Sequence, residues 1–162
     1  MKIYTLYREQ YLPITIDEAW AFFSSAKNLD KITPPEMGFN IVSKLNDEPV
    51  RSGMLIEYTV KPLLGIKMKW ITEITDVSAP FSFTDWQIKG PYALWQHTHH
   101  FYAVPGGVKM TDEVKYSLPL SWLGIVAHTL IVKNKLKQIF DFRTATLKKL
   151  FGELNEGNYV AG

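Results

Sequence analysis

The sequence predicts an α+β fold in which a strongly bent antiparallel sheet of about seven strands wraps around one long C-terminal helix, with two short helices after the first strand. Two observations carry this prediction. The middle of the chain alternates between strand-like segments and short Gly- and Pro-containing turns, which is typical of antiparallel hairpins. The last third changes to a helical period over roughly 30 residues, and a helix of that length needs a large surface to lie across.

The first third of the chain supplies one strand and the two short helices. Residues 2–12 alternate in polarity as a strand does. Thr15 followed by Glu18 has the spacing of a capping box, in which each side chain satisfies a free amide at the helix start. The segment around Leu29 predicts a second short helix that ends before Pro34, because proline cannot continue a helix.

Six more strands and the long helix follow. The strands are predicted at residues 38–45, 53–61, 66–77, 80–88, 92–104 and 107–118. The helix is predicted from about residue 122 to residue 151, with Gly152 as its C-terminal cap. We therefore expect a single domain over residues 1–152 and a C-terminal tail at 153–162.

Composition limits the classes of function. With 162 residues, 46% of them hydrophobic, the chain can bury a sizeable core. The absence of cysteine excludes thiolate nucleophiles and thiolate metal sites, and it fits a cytoplasmic location. A formal net charge of +2 and the lack of a recognisable module give no reason to expect a nucleic-acid partner. No apolar stretch reaches the ~18 residues of a membrane span, so no integral membrane segment is expected.

The stretch WQHTHHF, residues 95–101, holds three of the four histidines. In a strand, Trp95, His97 and His99 share one face, whereas His100 belongs to the opposite face. His97 and His99 are therefore the two histidines that can meet in one site.

The turn VPGG at 104–107 predicts the register of the hairpin that contains these histidines. If Ala103 faces Val108, the cross-strand pairs are Phe101 with Met110, His99 with Asp112, His97 with Val114 and Trp95 with Tyr116. This register places the Asp112 carboxylate on the same face as both histidines. The alternate residues of the second strand, which are Lys109, Thr111, Glu113 and Lys115, are expected to face solvent.

The sequence pattern of strand 80–88 allows two orientations. One face would carry Phe81, Phe83, Asp85 and Gln87, and the other would carry Ser82, Thr84, Trp86 and Ile88. If the first face points inward, Asp85 approaches His97. If the second does, Trp86 lies beside Trp95.

A stripe of the long helix is spaced to face the sheet. It consists of Leu136, Phe140, Arg143 and Leu147. An inward Arg143 could pair with Asp112 or Asp85, or could hold an anionic group of a ligand. The alternative is that Arg143 extends to solvent or pairs with Asp141.

Four segments resemble a known superfamily. They are ITPPEMGF (32–39), FTDWQIKGPYALWQHTHHF (83–101), MTDEVKYSLPL (110–120) and IFDFR (139–143). Together with the order of elements, they resemble the START-related, birch-pollen-allergen-like (SRPBCC) superfamily, and within it a ligand-binding, polyketide-cyclase-like branch. The resemblance implies the helix-grip fold and favours an inward Asp85. It leaves function open, because the superfamily includes lipid carriers, hormone receptors, polyketide cyclases and oxygenase domains.

The residues of the predicted inner face are compatible with three kinds of chemistry. His97 and His99 could ligate a metal with Asp112 or Asp85 as third ligand, but this spacing is short and common, so no metal and no cofactor are expected. A His99–Asp112 acid–base pair could support a cyclase- or dehydratase-type enzyme. The favoured function is non-catalytic binding of a hydrophobic or amphipathic small molecule, lipid- or polyketide-like, in a cavity between the sheet and the C-terminal helix.

Ten residues are candidate ligand contacts on the predicted inner face. They are Tyr58, Trp70, Asp85, Trp95, His97, His99, Asp112, Tyr116, Phe140 and Arg143. The competing interpretation is that the aromatic members fill an ordinary core and that His99 and Asp112 form a satisfied buried pair.

Overall fold

One seven-stranded antiparallel sheet and one long helix dominate the computed structural model, which describes residues 1–62, 65–119 and 125–155, and only the backbone of 125–129. The elements are β1 (Tyr4–Leu12), α1 (Ile16–Phe23), β2 (Asn40–Ile41), β3 (Leu55–Val60), β4 (Met68–Ser78), β5 (Ser82–Lys89), β6 (Leu94–Val104), β7 (Gly107–Ser117) and α2 (Ile125–Phe151). The strands are ordered β1-β7-β6-β5-β4-β3-β2. This is the predicted helix-grip architecture.

The start of α1 is the predicted capping box. The Thr15 hydroxyl accepts a hydrogen bond from the Glu18 amide at 3.2 Å, and the Glu18 carboxylate accepts one from the Thr15 amide at 2.7 Å. Without these contacts, the backbone amides of Thr15 and Glu18 would be unpaired hydrogen-bond donors at the helix start. The capping box therefore fixes where the chain leaves β1 and enters the helix.

The second short helix expected near Leu29 takes the form of three consecutive 3₁₀ turns. They span Ala26–Asn28, Asp30–Ile32 and Pro35–Met37. Pro34 has an extended backbone, with φ −55° and ψ 136°, so the helical hydrogen-bond ladder stops before it. The segment crosses the open side of the sheet as a chain of short turns.

The β6–β7 hairpin has the predicted register. Ala103 pairs with Val108, and the other predicted pairs follow along both strands. Val104 also pairs with Gly107, so the turn is the two residues Pro105 and Gly106, with Gly106 at φ +80°. Gly107 must be glycine, because a Cβ there would lie 2.1 Å from the Leu12 carbonyl oxygen.

Thr111 corrects one expectation for β7, since its side chain is buried instead of facing solvent. β7 lies between β1 and β6, and Thr111 pairs with Glu9 on one side and His100 on the other. These neighbours cover the small threonine side chain, whereas the longer lysine side chains of the same face extend past them.

The sheet is bent where its pairing is interrupted. The β4–β5 register shifts between Ile71 and Thr72 and again between Thr75 and Ser78, and such irregularities bend a strand and increase its twist. The concave face that results receives α2. The predicted stripe of α2 is buried against it, namely Leu136, Phe140, Arg143 and Leu147.

The C-terminal end of α2 is capped as predicted. Gly152 has φ +91°, and its amide donates to the Lys148 carbonyl at 2.9 Å. The Leu154 amide then donates to the Tyr11 carbonyl at 3.3 Å, so the first tail residues lie along β1. The predicted helix start at 122 and most of the tail, 156–162, lie outside the described residues. Within the described part of the chain, no helix is both long and apolar enough to cross a membrane.

Candidate functional site

The concave face is divided into three zones that follow one another along the strands. The dense core is formed by Leu12, Ala19, Phe23, Ile74, Phe83, Phe101, Met110 and Leu147. The aromatic wall is formed by Tyr58, Trp70, Tyr92, Trp95, Tyr116 and Phe140. Between them lies a polar cluster of Asp85, His97, His99, Asp112 and Arg143.

Strand alternation and register bring the polar cluster together. Asp85 of β5 pairs with His97 of β6, and His99 of β6 pairs with Asp112 of β7. Each of these side chains is on the concave side, and Arg143 reaches them from α2. The inward orientation of Asp85 settles the face of β5: Phe83 is also buried on that face, whereas Trp86 is 38% exposed on the other.

Asp112 is the centre of the polar cluster. Its Oδ1 atom lies 2.9 Å from His97 Nε2, 3.0 Å from His99 Nδ1 and 3.3 Å from Arg143 Nη2. The carboxylate is 2% exposed, so these three groups replace the water that it would otherwise need. This arrangement includes the predicted His99–Asp112 pair and the predicted inward Arg143, while Asp141 pairs with Arg8 and Lys137 instead.

Asp85 faces the opposite edges of the same two imidazoles. Its Oδ2 atom lies 3.1 Å from His99 Nε2 and 3.6 Å from His97 Nδ1. Each imidazole is therefore held between two carboxylates, with one nitrogen toward Asp85 and the other toward Asp112. The two rings lie against each other, with centroids 3.9 Å apart.

The electrostatics of the cluster separate the two histidines. Burial and the neighbouring His99 lower the pKa of His97 to about 4, although both carboxylates oppose this shift. Burial also acts to lower the pKa of His99, but its hydrogen bonds to Asp112 and Asp85, together with the charges of those carboxylates, outweigh burial and raise that pKa above its ordinary value. The cluster thus shifts the pKa values of the two imidazoles in opposite directions.

The carboxylates stay ionised despite their burial. Burial alone would raise the pKa of Asp112, but the Arg143 charge and the two imidazoles hold it well below its usual range. Burial also acts to raise the pKa of Asp85, but the hydrogen bond from His99 and the charges of His99, His97 and Arg143 together lower it. The two carboxylates are thus paired with Arg143 and with imidazole nitrogens, and such pairing is what makes a buried ionic cluster tolerable.

A pocket of about 130 Å³ opens between the sheet and α2, beside the polar cluster. Seven of the ten candidate contacts line it, and they are Tyr58, Trp70, Asp85, Trp95, His97, Phe140 and Arg143. The walls are mainly apolar, with aromatic and aliphatic side chains, and Asp85, His97 and Arg143 supply charged and polar groups. The pocket therefore combines a large apolar surface with a small number of polar groups.

The other three candidates lie elsewhere. His99 borders a smaller void of about 20 Å³ next to Phe83, on the side of the dense core. Asp112 borders neither of these two spaces, and its carboxylate contacts the histidine nitrogens that are turned away from Asp85. Tyr116 belongs to the aromatic wall but does not border the pocket, and its ring stacks on that of Tyr4 with centroids 5.5 Å apart.

Several pocket residues were missed from the sequence. Tyr92 lies in the turn before β6 and packs its ring 4.8 Å from that of Trp95. Ile32, Met37 and Phe39 reach the pocket from the segment of 3₁₀ turns. Turns have no regular alternation, so the sequence pattern does not predict which of their side chains point inward. For Ile32, Met37 and Phe39, the available signal was that their segment, ITPPEMGF, is one of the four that resemble the superfamily.

Similarity to known proteins is found at the level of three-dimensional structure. No family model matches the chain, and no curated protein matches it. Among solved structures, protein Ms6760 from Mycobacterium smegmatis is similar, with a TM-score of 0.64 and 17% identity over 93% of this chain and 96% of that one. Ara h 8.0201 is similar with a TM-score of 0.55 and 17% identity, over 91% of this chain and 99% of that one.

A third similar structure is the di-domain ARO/CYC protein BexL from the BE-7585A biosynthetic pathway. Its TM-score is 0.70 at 13% identity, and the match covers 94% of this chain and 51% of BexL. The chain shares the fold of these three structures, which confirms the predicted helix-grip fold. At these identities the likeness is one of fold alone.

Proposed function

We propose that the protein binds a small, mostly apolar molecule in the pocket between the sheet and α2. The observation that carries the proposal is a pocket lined by aromatic and aliphatic side chains that meets a cluster of paired polar side chains on one side. Ligand sites in proteins commonly combine a mostly apolar lining with a few fixed polar groups.

The volume of the pocket limits the part of the ligand that it encloses. A cavity of about 130 Å³ is close to an engineered cavity of ~150 Å³ that accepts benzene. A ligand of one or two rings fits this size best. A longer lipid- or polyketide-like molecule would need the pocket to widen, or would keep part of its length outside.

The polar groups of the pocket favour a ligand that carries a hydrogen-bond acceptor. Trp70 lines the pocket, and its buried Nε1–H has no hydrogen-bond partner among the described residues. Arg143 also lines the pocket, and its Nε–H is buried without a described partner. Both groups are donors, so a carbonyl or phenolic oxygen of the ligand would complement them.

The acid–base alternative has weaker support. His99 has the raised pKa that an acid–base group needs, but both of its nitrogens face carboxylates and it does not border the main pocket. His97 does border the pocket, yet its lowered pKa of about 4 makes it a weak base. Binding without turnover accounts for both histidines as groups that hold the polar side of the pocket in place.

A pair of matched isoleucine variants tests the proposal. Ile139 lines the pocket, whereas Ile131, two turns earlier on α2, is 48% exposed and does not line it. Ile139→Trp should fill the space and weaken binding of phenol, 1-naphthol or a fatty acid at least tenfold, as measured by titration calorimetry and native mass spectrometry. Ile131→Trp adds the same side chain outside the pocket and should leave binding unchanged.

Circular dichroism melting of all three proteins checks that the variants are folded. Equal binding by the wild type and Ile139→Trp would show that the pocket is not the binding site. If the folded wild type binds none of phenol, 1-naphthol and the fatty acid, the proposal is wrong for ligands of this class.

A further inference from the structure

We propose that the polar cluster binds one divalent transition-metal ion through Asp85, His97 and His99. From the sequence, two histidines on one strand face gave no reason to expect a metal, because a third ligand could only be inferred. The structure supplies that third group at contact distance and places a carboxylate behind both histidines. The proposal stands apart from the binding of an organic molecule and can be tested without one.

The first support is the convergence of three donor atoms. One donor atom from each of Asp85, His97 and His99 lies within 4.8 Å of the other two. Asp85 Oδ2 is 3.1 Å from His99 Nε2 and 3.6 Å from His97 Nδ1. Two ligands that are each ~2.1 Å from a tetrahedral ion are about 3.4 Å apart, which lies between these two values.

The second support is what the remaining nitrogens do. Histidines that ligate metals almost always donate their other N–H to a carboxylate, carbonyl or water, which fixes the tautomer. Here His97 Nε2 and His99 Nδ1 both contact Asp112 Oδ1, at 2.9 Å and 3.0 Å. Arg143 holds the same carboxylate at 3.3 Å. The tautomers in which both N–H groups are donated to Asp112 direct the lone pairs of both imidazoles toward Asp85, as metal ligation requires.

The third support is charge. An arrangement with two imidazole lone pairs and a carboxylate around one point is stable only if a positive charge lies among them. A divalent cation bound between these three groups would supply that charge.

The ligand set indicates the class of ion. Two imidazoles and one carboxylate suit zinc, ferrous iron, cobalt or nickel better than calcium or magnesium, which prefer oxygen ligands. Three protein ligands leave at least one coordination position open. Asp85 and His97 both border the pocket, so an oxygen atom of a bound molecule could take that position.

Equilibrium dialysis against zinc, followed by elemental analysis, tests the proposal on the purified chain. The wild type should retain one zinc per chain, and cobalt should give visible absorption bands of a four- or five-coordinate ion. Asp85→Asn keeps the size of the side chain but removes its charge, and it should weaken zinc binding at least tenfold. His97→Ala and His99→Ala should each do the same.

His100→Ala is the matched control, because His100 is on the same strand but faces the opposite side of the sheet. This variant should bind zinc like the wild type. Asp112→Asn should weaken binding by about 10- to 100-fold, the usual effect of losing a partner behind the ligands, while the cobalt bands remain. Thermal melting of each variant checks folding.

Two results would overturn the proposal: a folded wild type that retains no zinc and gives no cobalt bands, or zinc binding that is equally tight in a folded Asp85→Asn variant. Neither result depends on the organic ligand. Conversely, failure of phenol or a fatty acid to bind would leave the zinc titration fully decisive.

Discussion

The dense core and the aromatic wall share β4, β6 and β7, yet the first is closely packed and the second borders a pocket of about 130 Å³. The dense core is covered by α1, whose Trp20 and Phe23 rings pack against Phe101 at centroid distances of 6.2 Å and 5.4 Å. The aromatic wall is covered by the 3₁₀ turns between α1 and β2, together with α2. The difference therefore lies in what covers the sheet, not in the strands themselves.

This contrast has a physical origin in the covering segments. An α-helix presents a continuous row of side chains that can fill the grooves of a sheet. The segment that contains Pro34 cannot continue a helix, and short turns present side chains at irregular spacing. The aromatic wall is consequently packed less completely, and the polar cluster marks the border between the two zones.

The largest expected effect is in the dense core. Phe101 is 1% exposed and contacts aromatic rings of both α1 and β5. Phe101→Ala should reduce the free energy of unfolding by about 3–5 kcal/mol, because the surrounding helix and sheet cannot collapse into the space. Urea denaturation measures this loss. A loss below ~1 kcal/mol would show that this zone is as loosely packed as the aromatic wall.

The next largest effect is at the border. Arg143→Met keeps the length of the side chain but removes the cation that faces Asp112, and it should cost about 3 kcal/mol of unfolding free energy. In the double variant with Asp112→Asn, the two losses should be clearly smaller than additive, because the buried charge is gone as well. Strict additivity would contradict the contact between these side chains.

A smaller effect is expected in the aromatic wall. Trp70→Phe removes an indole N–H that has no partner among the described residues and leaves a ring next to an existing pocket. We expect a loss of about 1 kcal/mol or less in unfolding free energy, together with weaker binding of a ligand that carries an acceptor. A loss as large as that of Phe101→Ala would remove the distinction between the two zones.

The smallest effect is expected on the convex face. Ile88 is 54% exposed, and Ile88→Ala should change the free energy of unfolding by no more than about 0.5 kcal/mol, with unchanged ligand and zinc binding. This variant sets the baseline against which the other three are compared. A loss of several kcal/mol here would indicate that the convex face is covered in solution.

The parts of the site that have a regular period could be predicted from the sequence. The two-residue period of β6 and β7 places His97, His99 and Asp112 on one face, and the VPGG turn fixes which residues are opposite each other. The helical spacing of α2 places Arg143 on the buried stripe. These patterns were sufficient because each of these elements places its large apolar side chains mainly on one face.

The other features of the site depend on three-dimensional contacts that the periodicity of the sequence does not determine. One carboxylate oxygen of Asp112 contacts nitrogens of His97, His99 and Arg143, and the Arg143 contact depends on the distance between α2 and the sheet. Tyr92 enters the pocket from a turn, and the direction of a turn side chain is set by its backbone angles and its neighbours. Thr111 is buried because β7 is a central strand, which only the strand order reveals.

The central claim, that the pocket beside the aromatic wall receives a small molecule, is tested most directly by two-dimensional NMR of the tryptophan indole groups during titration with phenol. Assignment by single Trp→Phe variants identifies each signal. The Trp70 and Trp95 indole signals should shift with one common saturation curve, while Trp86, on the convex face, stays unchanged. Unmoved Trp70 and Trp95 signals at saturating phenol, or shifts confined to Trp86, would contradict the account.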